Sequence, residues 1–141
     1  MSEPSKKPAP PLMILACSGA SNVGQLSNQA AVELTREGFG QMFCLAAIGA
    51  HLEKFIRYAK NVPSMVAIDG CSVGCIRAIL ERAEVSLRNY VVLTELGFAK
   101  NMNSNLEKAD IEKVKRAVRT GMKSSTVFPT PSPSGGGCCG S

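Results

Sequence analysis

Four short apolar-rich runs, at 12–16, 40–46, 65–68 and 89–94, alternate with stretches in which apolar residues return every three or four positions. The short runs suit strands buried on both faces, and the longer spacing suits helices with one buried side. Val23, Leu26, Ala30 and Leu34 mark the first helix, which Gly38 stops. The second is expected at 51–60, with Leu52, Phe55, Ile56 and Ala59 inward. Asp69-Gly70 turns the third run into a helix carrying Ile76, Ile79, Leu80 and Ala83. A polar loop at 101–105 precedes a last helix marked by Ile111, Val114, Val118 and Met122. Strand–helix alternation with right-handed crossovers predicts an α/β fold. It is a small doubly wound, Rossmann- or flavodoxin-like parallel sheet of about four strands, ordered 2-1-3-4, with helices on both faces. In such a sheet, ligands gather outside the carboxyl ends of the strands, where the strand order reverses.

The 141 residues allow one domain with a single sizeable core. That domain is expected at 12–122. Residues 1–11 read as a Pro- and Lys-rich disordered tail, and 123–141 as a flexible Ser/Pro/Gly linker ending in Cys138-Cys139-Gly-Ser. Lys6-Lys7 before an apolar run ending at Cys17 superficially resembles an export signal. Only five apolar residues precede that cysteine, against the roughly 7–15 that an export signal requires. The run reads instead as a strand, which makes the expected compartment cytoplasmic and the expected cysteines reduced. No run is long enough to span a bilayer. Within 12–122, 13 basic and 10 acidic residues leave a charge of +3, too small for a polyanion binder. The absence of Trp and a total of seven other aromatics also argue against a base-stacking surface. No nucleic-acid or membrane partner is therefore expected.

The cysteines are the outlying feature. On this layout Cys17 ends the first strand, Cys44 lies near the end of the second, and Cys71 ends the third. Cys75 falls in the first turn of the following helix, one turn beyond Cys71 and on the same face. Residues far apart in sequence thus converge on one edge of the sheet. Four thiolates around zinc need Zn–S bonds of about 2.3 Å, which neighbouring strand ends and a helix start can supply. The helix dipole predicts a preference for thiolate at Cys71 and Cys75. The plain alternative is that all four are inert small hydrophobes. The three-residue gap between Cys71 and Cys75 is not that of a zinc ribbon.

Cys17-Ser-Gly19, Cys44-Leu-Ala-Ala-Ile48-Gly49 and Asp69-Gly70-Cys71-Ser-Val-Gly-Cys75 together resemble the DGC-domain family, small prokaryotic proteins named for their Asp-Gly-Cys motif. The resemblance runs from about 12 to 122 with the motifs in order. It implies that Cys17, Cys44, Cys71 and Cys75 are ligands of one zinc ion. It brings no established reaction, so a non-enzymatic role in metal or thiol homeostasis is expected. The same four ligands would equally suit an iron–sulfur cluster.

The loop after Cys17 is also similar to the phosphate loop of low-molecular-weight tyrosine phosphatases and arsenate reductases, which would make Cys17 a nucleophile in a thiol-dependent enzyme. That loop requires an Arg six residues after the cysteine, where this chain has Val23. Cys138 and Cys139 suit soft-metal or thiol exchange, or form part of a dispensable end. His51, the single histidine, reads mainly as a surface group. Asp69 either orients a ligand or only forms the Asp-Gly turn. Ser18, Ser21 and Asn22 are candidate helix caps. Lys113, Lys115, Arg116, Arg119 and Lys123 give the last helix a basic face, expected to be solvated.

Overall fold

A computed structural model describes residues 12–123, so what the sequence leads one to expect of both chain ends, including Cys138 and Cys139, lies outside the described residues. The elements are β1 (Met13–Ala16), α1 (Asn22–Arg36), β2 (Gln41–Met42), α2 (Leu45–Gly49), α3 (Glu53–Asn61), β3 (Met65–Asp69), α4 (Cys75–Arg82), β4 (Tyr90–Val92) and α5 (Lys108–Lys123). A 3-10 turn, Leu93–Leu96, follows β4 directly. All strand pairs are parallel and the order is β2-β1-β3-β4, as the alternation predicts.

The strands carry the period-two division of side chains that a sheet covered on both faces demands. Met13 and Leu15 join Ile48, Ile56, Ile76 and Leu80 beneath α2, α3 and α4. Ile14 and Ala16 join Val23, Leu26, Leu34, Val114 and Val118 beneath α1 and α5. All four β1 side chains and all five of β3 are buried, which explains why both read as unbroken apolar runs.

Three expectations are corrected. The strand predicted at 40–46 ends after two residues, and Leu45–Gly49 is helical. The apolar run from Met42 to Ile48 has no period of its own, and Leu45, Ala46 and Ala47 are good helix formers beside an edge strand paired only to β1. Leu52 does not point inward; it precedes α3 in an extended conformation and is 49% exposed. The basic face of α5 is not simply solvated. Lys115 is buried against Glu33, Glu37 and Glu112, and Arg119 pairs with Glu37 while lying over the Phe39 ring. No described helix is long and apolar enough to cross a membrane.

Candidate metal centre

The site begins with backbone packed on backbone. A Cβ at Gly70 would stand 2.8 Å from the Val23 carbonyl carbon and 2.9 Å from the Gly24 nitrogen. One at Gly24 would stand 2.7 Å from the Gly19 oxygen. The loop after β1, the first turn of α1 and the turn after β3 are therefore in direct contact, at separations that no side chain permits. Gln25 ties the same loop from α1 by donating to the carbonyls of Ser18 and Gly19. Ser21 caps α1 by accepting from the Gly24 N–H, as the sequence allows.

Asp69 closes the β3 side. Its carboxylate is 1% exposed and accepts from the Ile76 N–H and from the Tyr90 hydroxyl, the latter at 2.5 Å. The residue at the α4 cap position is Gly74, left-handed at φ 68°, which has no side chain to offer. Asp69 thus caps the helix from the end of the strand before it. Burial pushes its carboxyl above the usual carboxylate range, against the pull of Tyr90, the α4 N–H groups and Arg77. The Tyr90 hydroxyl is likewise pushed up, by burial and by Asp69.

This scaffold places Cys17 directly after β1, with its N–H donating to the Ile68 carbonyl. Cys71 lies two residues beyond β3, and Cys75 is the first residue of α4. Cys44 immediately precedes α2 beyond the end of β2, on the same carboxyl edge. All four are free thiols; Cys17 and Cys71 are partly buried, Cys44 and Cys75 exposed. Two sulfurs have donors of their own. The Gly19 N–H lies 3.4 Å from Cys17 Sγ, and Lys100 Nζ lies 3.3 Å from Cys71 Sγ.

Cys75 lies within electrostatic reach of Cys17, Asp69, Cys71 and Lys100. The predicted preference for thiolate at this position is reversed. Loss of solvation at the sulfur, then the charges of Cys17, Asp69 and Cys71, push the thiol up, and Lys100 opposes this only in part. Among the described residues, no three His, Cys, Asp or Glu side chains are gathered closely enough to hold a metal ion. The structure therefore brings the four cysteines to one edge without drawing them into a finished ligand shell.

Lys100 gave no signal in the sequence. Its segment is fastened to α1 by Asn22, whose side chain donates to the Ala99 carbonyl and accepts from the Asn101 N–H. The Asn22 backbone N–H also donates to the Asn101 carbonyl. An Asn beginning a helix reads as a local cap, and nothing local announces a partner 79 positions away. Val23, where a phosphatase-like loop requires Arg, is wholly buried in the core beneath α1. His51 is exposed in the turn after α2, at φ 62°.

The DGC-domain family model matches residues 13–118, which include all four cysteines and Asp69-Gly70. The anaerobic and virulence modulator AnvM of Pseudomonas aeruginosa is 34% identical over 110 residues, covering 77% of this chain and 84% of AnvM. No solved structure matches the chain.

Proposed function

The chain belongs to the DGC-domain family, and on that premise we propose that it binds one zinc ion through Cys17, Cys44, Cys71 and Cys75. The observation that carries this reading is the arrival of four free thiols, from three strand ends and one helix start, on a single edge of the sheet. The donor set suits the metal, since thiolates are favoured ligands of a borderline-soft ion. A shell of four sulfurs leaves no position for water, so bound zinc would cross-link the loops or be held in store rather than hydrolyse a substrate.

The residues around the thiols support this. Four thiolates and one divalent ion carry a net charge of −2, which favours nearby cations and N–H donors. Lys100 at Cys71 and the Gly19 N–H at Cys17 are such donors. Asp69 holds the start of α4, and so Cys75, in place without itself being offered as a ligand. A relative named as an anaerobic and virulence modulator supports a regulatory role; metal or thiol homeostasis in the cytoplasm is the setting proposed for it. Cys138 and Cys139 are proposed to exchange metal or thiol with the site.

Elemental analysis of anaerobically purified protein tests the reading. About one zinc per wild-type chain is expected, with less in single Cys→Ser variants at the four positions. Iron with inorganic sulfide would replace zinc with a cluster. A metal-free protein with one unusually reactive Cys17 would overturn the reading in favour of a thiol enzyme.

A further inference from the structure

Two of the thiol sulfurs lie against a nitrogen, and the two nitrogens differ in kind. The one at Cys17 is the Gly19 amide, whose lone pair is delocalised into the peptide group and is a poor nucleophile. The one at Cys71 is the amine of Lys100, with Nζ 3.3 Å from Sγ. Lys100 is exposed, and among the described residues no carboxylate pairs with it. Cys71 is partly buried and packs against the core beneath α1 and α5.

Both partners are held in place by backbone. Gly70, seated against Val23 and Gly24, accepts from the Thr94 N–H, and the Cys71 carbonyl accepts from the Gly74 N–H. Asn22 fixes the residues on either side of Lys100. Its side chain donates to the Ala99 carbonyl and accepts from the Asn101 N–H, and its backbone N–H donates to the Asn101 carbonyl. Sulfur and amine thus stand in contact across 29 positions, with neither backbone needing to move. Holding two groups in this way turns an encounter between them into an intramolecular step.

We propose that Cys71 and Lys100 form a reversible covalent link, a sulfenamide, when the metal-free chain meets a hydroperoxide. The Cys71 thiolate attacks a peroxide oxygen, the O–O bond breaks and hydroxide leaves. The sulfur is oxidised by two electrons to a sulfenic acid, and the peroxide is reduced. The neutral Lys100 amine then attacks that sulfur. An S–N bond forms, the S–O bond breaks, and the departing hydroxide takes a proton from the amine and leaves as water. Two molecules of a small thiol reverse the link: one releases the amine, and the second frees Cys71 as an external disulfide forms. The link holds Cys71 short of irreversible sulfinic acid and joins the turn after β3 to the segment after β4. Bound metal occupies the same sulfur, so this inference goes beyond the zinc reading and does not depend on it.

The test treats the full chain, stripped of metal by a chelator, with hydrogen peroxide and maps it by tandem mass spectrometry. Circular dichroism confirms that each protein is folded. Wild-type protein is expected to lose the mass of two hydrogens and to yield a peptide joining Cys71 to Lys100, uncut by trypsin after Lys100. Dithiothreitol should reverse both changes. C17S and C75S should form the link as wild type does, and N22A, which frees the segment carrying Lys100, should form several-fold less. K100R keeps a cation beside the sulfur but no amine nucleophile. Its Cys71 should pass on to sulfinic acid at a peroxide dose that leaves wild type linked. A disulfide of Cys71 with Cys17 or Cys75 as the wild-type product would overturn the inference, as would equal sulfinic acid in wild type and K100R. Zinc bound by untreated protein, with no link in stripped protein, overturns this inference alone. A link in a chain that binds no zinc upholds it and overturns the zinc reading.

Discussion

Asp69 and Lys115 are the two buried ionisable side chains among the described residues, at 1% and 5% exposure, and their surroundings differ in kind. Lys115 links α5 to α1 through carboxylates of Glu33 at 3.0 Å, Glu37, and Glu112 at 2.9 Å on its own helix. Those partners outweigh its burial and push the ammonium up, while Glu33 and Glu37 are held below the usual glutamate range by bonds from Lys115. Asp69 is met mainly by neutral donors, a phenol and backbone N–H groups, and its burial is not fully offset. One charge sits where it is electrostatically comfortable, fastening two helices far from the thiols. The other sits where its charge is penalised, at the turn that positions Cys71 and Cys75. The fold accepts an electrostatic cost where a carboxylate is needed to set geometry.

The largest way to test this contrast is Asp69→Ala. It leaves α4 uncapped and strands the Tyr90 hydroxyl, so a loss of about 2–4 kcal/mol is expected in urea unfolding. Asp69→Asn keeps an acceptor oxygen and should recover part of it. A loss from Asp69→Ala no larger than that from Lys115→Met would dissolve the distinction.

Gly70→Ala comes next. Its new Cβ meets backbone of α1 rather than a side chain that can swing away, so about 1–3 kcal/mol is expected by the same measurement. A neutral result would show that the turn after β3 is free to move.

The smallest expected effect is on the pH dependence of stability. Glu33 and Glu37, with lowered values, add stability that is present above the ordinary glutamate range and lost as pH falls through their folded values. Asp69, with a raised value, acts in the opposite direction. The folded state binds its proton more tightly, so stability falls as pH rises from the ordinary carboxylate range through the folded value. Lys115→Met should therefore flatten the acid loss of stability between about pH 3 and 6, and Asp69→Asn should steepen it. Unfolding midpoints across that range provide the check, and identical pH profiles in the two variants would contradict it.

The sheet order was legible because β1 and β3 are uninterrupted apolar runs and the handedness of crossovers leaves few arrangements. So was the sheet edge that carries Cys17 and Cys71, since they lie at or just beyond the ends of those strands. Cys44 was harder to place, because the seven apolar residues from Met42 to Ile48 carry no period that separates strand from helix. The reversed preference at Cys75 was out of reach, since it depends first on loss of solvation at the sulfur and then on Cys17, Asp69 and Cys71, all of which only folding brings about.

The sequence by itself determined what is local: the period of each segment, the cap at Ser21, the turn at Asp69-Gly70 and the donor chemistry of four thiols. Only the tertiary structure decided why Gly70 must be glycine, why Asp69 caps a helix seven residues on, and how Asn22 brings Lys100 to Cys71. The physical reason is one of range. Propensity and capping act within a turn or two of chain, whereas steric contact and charge act through space, between residues whose proximity exists only once the sheet has formed.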